Sequence, residues 1–172
     1  MRIYIDVGAH IGLRMYEYMK TYKFEKGYAF EPSQDCVNHK QWEKTLSLNV
    51  ELFNEAAWVE NGTINFFINP CKPLGQSATL IENKTSGNIN YNLPNNVFCI
   101  DFSEWLLYNI KADDYVVLKM DIEGAEYVVL DKMIKDGSIG LIDLLRIEFH
   151  AHKIDSNIDH EGLVDRLIKT GV

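Results

Sequence analysis

Asp6-Val7-Gly8-Ala9-His10-Ile11-Gly12 follows a short apolar run, Ile3-Tyr4-Ile5, and opens an amphipathic segment. The order is strand, glycine turn, helix. That is the outline of a ligand-binding loop at the carboxyl end of the first strand of a doubly wound sheet. A loop for a dinucleotide needs small residues in the pattern Gly-x-Gly-x-x-Gly, so that the backbone can meet the pyrophosphate. Here the position two after Gly8 is His10, whose side chain would stand where phosphates come close. Asp6 would set one anion against another. It suits a cationic ligand instead, and S-adenosylmethionine carries an ammonium and a sulfonium group and no phosphate. A plain strand-to-helix turn that binds nothing has the same outline, because glycines mark turns of every kind.

Outward from the turn, Ile11, Met15, Tyr18, Met19 and Tyr22 recur at helical spacing. This helix is expected to end near Gly27, and its amino end aims free N–H groups at the ligand site, fit for a carboxylate. Tyr28-Ala29-Phe30-Glu31 reads as a second strand, stopped by Pro32, with Ser33 capping a helix from about Asp35 to Leu46 that buries Trp42 and Leu46. Leu48 to Phe53 is a third strand, closed by Asn54-Glu55-Ala56. Ala57-Trp58-Val59 and Thr63 to Ile68, joined through Asn61-Gly62, have the pattern of a hairpin, a small antiparallel insertion.

From Asn69 to Asn96, Gly, Pro, Asn, Ser and Thr dominate and periodicity is lost. A loop this long inside a compact domain is either a lid over a pocket or a mobile connector. Val97 to Ile100 is a short strand, and Ser103 caps a helix containing Trp105, Leu106 and Ile110. Tyr115 to Met120 is apolar on both faces apart from Lys119, as a strand covered on both sides must be. A helix from about Gly124 to Lys135 stops at Gly137, Ile142 to Phe149 is the next strand, and a last helix carries Leu163, Leu167 and Ile168. The whole reads as a single α/β domain over residues 1–172, with a Rossmann-like, doubly wound and mostly parallel sheet.

A chain of 172 residues suits one sizeable core, and 47% apolar with 24% charged residues is an ordinary globular composition. The net charge of −8, with no Lys/Arg cluster, argues against nucleic acid as a partner. Cys36, Cys71 and Cys99 are odd in number and far apart, which suggests buried free thiols in a reducing compartment rather than a disulfide framework or a zinc site. No apolar run approaches the ~18–20 residues of a membrane span, and no signal peptide precedes the first strand. A cytoplasmic location with no membrane partner is therefore expected. Asn61-Gly62-Thr63 and Asn83-Lys84-Thr85 match the glycosylation sequon but, without a secretion signal, are not read as modified.

In a parallel sheet, ligands sit beyond the carboxyl ends of the strands. The first strand supplies Asp6 and the turn Gly8 to Gly12. The second supplies Glu31, nineteen residues after Gly12, the spacing of an acid that grips ribose hydroxyls. The third supplies Asn54 and Glu55, suited to an adenine amino group. The strand through Lys119 supplies Asp121, Glu123 and Glu126, and the last supplies Glu148 and His150. Each alone reads equally as a capping or solvated charge. Their convergence on one sheet edge makes the site.

Asp6-Val7-Gly8-Ala9-His10-Ile11-Gly12, Phe30-Glu31-Pro32, Asn54-Glu55-Ala56, Lys119-Met120-Asp121-Ile122-Glu123-Gly124-Ala125-Glu126 and Glu148-Phe149-His150, in that order, resemble the successive motifs of the FkbM-type methyltransferases. The resemblance spans nearly the whole chain, and the acidic Lys-x-Asp-x-Glu-Gly-x-Glu block is its most specific part. It implies a class I methyltransferase sheet, S-adenosylmethionine as cofactor, and a hydroxyl of a sugar or small natural product as acceptor. The implied cofactor contacts are Asp6, Gly8, Ala9, His10, Ile11, Gly12, Glu31, Pro32, Asn54, Glu55, Ala56 and Asp121. His10 stands where the family usually has Asn. The sheet of such enzymes usually continues with two more strands for which this sequence has no counterpart. One sheet edge is thus expected to be open, offering a route to self-association.

The implied chemistry is direct transfer to an oxygen that must lose a proton, so a base helps. His150 is the first candidate, because its ordinary pKa lies near the working range. Asp121 is the second, and Glu148 stands by to orient His150. Lys119 is read as neutralising buried acids. Asp121, Glu123 and Glu148 also offer oxygen ligands of the kind Mg²⁺ takes, but helix-terminal and solvated acids account for them equally well, and no metal ligand is assigned. Two other classes stay open: a module that holds the cofactor or a partner without transferring methyl, and an NAD(P)-dependent reductase, against which Asp6 and His10 count.

Overall fold

The apolar runs before the glycine turn and before the acidic block become neighbours at the centre of one sheet. The computed structural model describes residues 1–82, 84–154 and 158–172. In chain order the elements are β1 (Arg2–Val7), α1 (Leu13–Tyr22), β2 (Lys26–Phe30), α2 (Gln34–Val37), α3 (Gln41–Leu46), β3 (Val50–Phe53), β4 (Ala56–Trp58), β5 (Gly62–Phe66), β6 (Asn95–Asp101), α4 (Phe102–Asn109), β7 (Tyr115–Met120), α5 (Glu126–Asp136), β8 (Leu144–Ile147) and α6 (His160–Thr170). Five strands form a sheet in the order β3-β2-β1-β7-β8, and every pairing in it is parallel. The Rossmann-like reading holds.

Side-chain alternation sorts the two layers. Ile3, Ile5 and Val7 of β1 meet Leu106 of α4, Leu130 and Met133 of α5, and Leu163 and Leu167 of α6 in the larger core. Tyr4 turns to the other face, where Met15 and Met19 of α1 and Trp42 of α3 pack. Asp6 lies two residues on from Tyr4 and shares its face, and the register sets it beside Lys119 of β7. A single period-2 pattern thus places an acid and a base side by side under α1. The chain winds from β1 out to β3 and returns to β7, so the strand order reverses between β1 and β7. That is where an open α/β sheet makes its ligand crevice.

Several local expectations change. The arms of the expected hairpin do not pair with each other. β6 lies between them, parallel to β4 and antiparallel to β5, in a separate three-stranded sheet. The side chain of Asn61 is held by the N–H of Asp101 and by Glu104, so the Asn-Gly pair tethers β6 instead of closing a tight turn. The helix expected from Asp35 to Leu46 is two short helices: His39 Nδ1 accepts from the N–H of Gln41 and begins the second. Trp42 is buried there, but Leu46 is exposed. Asp101, not Ser103, caps α4 by accepting from the N–H of Glu104, while Ser103 is buried against Ser138. Ser33 does cap α2, and Gly137 does end α5 in a left-handed conformation. Cys36 and Cys99 are buried free thiols, whereas Cys71 is exposed.

The segment expected to be a lid or a connector folds onto the site. Phe67 and Thr79 exchange two backbone hydrogen bonds, and Ala78 and Leu80 join Ala56, Phe66, Cys99 and Ala125 in a small core of their own. Asn83 of the second sequon lies outside the described residues. No described helix is long and apolar enough to cross a membrane.

Candidate functional site

A cavity of about 400 Å³ opens at the β1–β7 crevice, within the range of small-molecule sites. Its floor is Asp6 to His10 with Glu31 and Pro32. One wall is Lys119 and Asp121 to Glu123. Ala56, Ala57 and Phe66 give it an apolar side, and residues 74–80 roof it.

The glycines of the loop serve the protein's own packing. A methyl on Gly8 would stand 2.0 Å from the carbonyl oxygen of Asp121, so the loops after β1 and β7 cross in contact. A methyl on Gly12 would stand 2.7 Å from the Trp42 ring. Both residues have positive φ. Gly12 caps α1 without a side-chain hydrogen bond, which leaves the first amides of that helix unengaged by any side-chain cap. Ala9 is buried in the core beside α1, and half-buried Ile11 completes the turn.

Asp6 is fully buried. The Lys119 ammonium lies 3.1 Å from its Oδ1 and 3.5 Å from Asp121 Oδ2, and donates to the carbonyl of Gly8. Neither Asp6 oxygen receives a well-directed hydrogen bond among the described residues, so the Asp6–Lys119 contact acts as an ion pair. Burial pushes the Asp6 carboxyl up from its ordinary value, with Lys119 working against that rise. For Lys119, burial opposes the charge, but Asp6 and Asp121 outweigh it and hold the ammonium above its usual range.

Glu31 is the second buried carboxylate of the cavity. The N–H groups of His10 and Ser33 donate to its two oxygens, each at 2.8 Å. Burial nevertheless pushes its pKa up to about 7, against the pull of those two donors. His10 has φ 52°, and its Nε2 donates to the carbonyl of Leu74 in the roof. Burial lowers its pKa, so the ring is a neutral clasp between floor and roof. Asn54 sits beside Glu31 but spends its amide donors on the carbonyls of Glu31 and Pro32, fixing the turn after β2. Glu55 is half-buried outside the cavity wall, whereas Ala56 and Pro32 line it.

The acidic block is organised by Glu126, which is fully buried. Its carboxylate accepts from the N–H groups of Ile122 and Gly124 and contacts His150 Nδ1 at 2.9 Å. The turn ahead of it has Glu123 at φ 56° and Gly124 at φ 116°, which sends Glu123 and Glu126 in different directions. With Nδ1 on Glu126, the other nitrogen of His150 faces Glu148 at 3.5 Å, Glu123 at 3.6 Å and Asp121 at 3.8 Å. His150 is 1% exposed and stands behind the cavity wall. Burial works to lower its pKa, but Glu126 and then Glu123 overcome that and raise it. Glu148 is 67% exposed.

Glu123 also holds the roof. Lys84, whose side chain is fully buried, reaches its Oε2 at 2.6 Å and donates to the carbonyl of Ser77. Lys153 is 3.4 Å from the same oxygen, and Thr79 Oγ1 donates to the Glu123 carbonyl. Replacing Lys84 with Met keeps the buried stem and removes the charge. Residues 74–84 are then expected to be cut several-fold faster in limited proteolysis, with the sheet core resistant; an unchanged cleavage rate would show that the pair does not hold the roof.

The structure thus brings Asp6, Gly8, Ala9, His10, Glu31, Pro32, Ala56 and Asp121 to one cavity. Asn54 and His150 stand behind its wall, and Glu55 stands away from it. Lys84 had no sequence signal, because it sits in an aperiodic segment. A family model described as the methyltransferase FkbM domain matches residues 6–167. No curated protein and no solved structure matches the chain.

Proposed function

The chain belongs to the FkbM methyltransferase family, and from that premise we propose that it transfers a methyl group from S-adenosylmethionine to a hydroxyl oxygen of a sugar or small natural product. One observation carries the reading: two buried carboxylates, Asp6 and Glu31, share one cavity floor, and His10 lies between them in sequence. Such a floor repels a pyrophosphate and suits a ligand with cationic and hydroxyl groups. This weighs against a nicotinamide dinucleotide.

The residues present fit the cofactor. Asp6, short of hydrogen-bond donors, and the uncapped amides of α1 suit an amino-acid end. Glu31 keeps lone pairs for ribose hydroxyls, and Phe30, Ala56, Ala57 and Phe66 offer apolar surface to a base. S-adenosylmethionine, when bound, supplies an electrophilic methyl carbon. The chain's own work is to position the acceptor, exclude water beneath residues 74–80, and take up the hydroxyl proton. Of the two acids on the cavity wall, Asp121 meets the acceptor, since Glu123 is engaged by Lys84 and Lys153. Glu123 beside it and His150 behind the wall are the rest of the proton sink.

Calorimetric titration with S-adenosylmethionine and with NADPH tests the reading. Saturable binding of the first and none of the second is expected; the reverse would sink it. Binding without turnover over a broad acceptor panel would favour a binding module. Glu31 adds a pH test. Its pKa rises from 4.5 in the unfolded chain to about 7 in the fold, so the folded state holds the extra proton between those values. The Glu31 contribution to stability is therefore fully present below pH ~4.5 and is lost as pH rises through ~7, by about 3 kcal/mol in all. Asp6 adds a slope of the same sign. Glu31→Gln is expected to flatten the fall between pH ~5 and ~8 in urea unfolding. Ribose hydroxyls would favour the ionised form, so cofactor binding near pH 7 should release up to about half a proton, seen as buffer-dependent heats.

A further inference from the structure

His150 Nε2 is buried, has no hydrogen-bond partner among the described residues, and points into a group of carboxylate oxygens. With Nδ1 committed to Glu126, Nε2 is the nitrogen left for a further partner. Nε2 faces three carboxylate oxygens at 3.5–3.8 Å, too far for good hydrogen bonds. Atoms bound to one cation at about 2.1 Å stand about 3.0–3.4 Å apart, so ligand atoms that now spread over as much as 4.8 Å must draw in by up to about 1.4–1.8 Å. We propose that Asp121, Glu123 and His150, whose ligand atoms all lie within 4.8 Å of one another, form a divalent-cation site for a first-row transition-metal ion such as Mn²⁺ or Zn²⁺.

The donor set explains the choice of ion. One imidazole with carboxylates suits Mn²⁺ or Zn²⁺ better than the all-oxygen Mg²⁺. Glu126 is the partner that a metal-bound histidine commonly has on its second nitrogen, fixing the tautomer. Asp121 divides its oxygens, Oδ2 toward Lys119 and Oδ1 toward His150, so Oδ1 is available. Glu123 Oε2 already faces Lys84 and Lys153. A cation must take the other oxygen or compete with those ammonium groups, so Lys84 weakens the site. Asp121 and Glu123 belong to the cavity wall, and an ion there would have an open position toward the cavity. A hydroxyl oxygen bound to it would lose its proton more readily. That use in turnover rests on the methyltransferase reading; the binding of the ion does not.

The test titrates Mn²⁺ alone into the full chain without cofactor, following free Mn²⁺ by its EPR signal. One saturable ion per chain is expected, with imidazole-nitrogen modulation in pulsed EPR. Asp121→Asn and His150→Ala should each weaken binding at least about tenfold, and Lys84→Met should tighten it. Asp121 is half-exposed, so its variant keeps the proposal testable if His150→Ala fails to fold. Absence of saturable binding, binding without nitrogen coupling, or binding indifferent to Asp121→Asn would each overturn the site. Calorimetry with S-adenosylmethionine in metal-free buffer scores the methyltransferase reading separately.

Discussion

Glu126→Ala is expected to cost about 3–5 kcal/mol of folding stability, the range for removing one partner of a buried charged network. The carboxylate accepts from two backbone N–H groups and sits 2.9 Å from His150 Nδ1, with Glu126 and His150 themselves buried. Alanine strands those donors, and each buried unpaired group costs about 1–3 kcal/mol. Urea unfolding should show a lower midpoint with an unchanged slope. Glu126→Gln, which keeps one acceptor oxygen, should fall between wild type and Ala. A double variant with His150→Ala should lose less than the sum of the single losses, since the residues share one network. A cost below about 1 kcal/mol would mean that water replaces the carboxylate and that the turn does not depend on it.

Gly8→Ala is expected to abolish the stable fold, or to cost more than about 4 kcal/mol. Its Cβ would lie 2.0 Å from the Asp121 carbonyl oxygen and 3.2 Å from Ile122 Cγ2, and the residue has φ +80°. The conformation alone costs about 1–2 kcal/mol. The overlap is with backbone, so no side chain can swing away, and the loops after β1 and β7 must part. Gly137→Ala is the control: it has the same φ with nothing within 4 Å, and should lose only the conformational part, about 1–2 kcal/mol. Equal losses in the two variants, measured by denaturant, would refute the account of Gly8 as a crossing point.

The contrast bears on what was legible in the chain. The turn around Gly8 was readable as a strand-to-helix loop, and the alternation Tyr4, Asp6 against Ile3, Ile5, Val7 carried the layer structure. The glycines themselves turned out to serve contacts with Asp121 and Trp42, which are long-range and leave no local pattern. The place of β6 between β4 and β5 depends on pairing across an aperiodic segment, and periodicity cannot report it. The acids at the sheet edge were countable in advance. Their division of labour was not, because it follows from the left-handed turn at Glu123 and Gly124 that parts Glu123 from Glu126. Lys84 sits among Gly, Asn and Ser residues, where a lone lysine reads as solvated surface.

The pairing of β1 with β7 has a kinetic consequence. The innermost strands of the sheet are among the most distant partners in the chain: Met1 lies against Asp114, 113 residues on, and Lys119 reaches back 111 residues to Gly8. Closing that separation is entropically slow. As the chain leaves the ribosome, β1, β2 and β3 can associate early, but one apolar edge of β1 must wait unpaired until β7 arrives. Premature termination anywhere before Tyr115 would leave that edge permanently exposed, so such fragments should aggregate rather than persist as soluble half-domains.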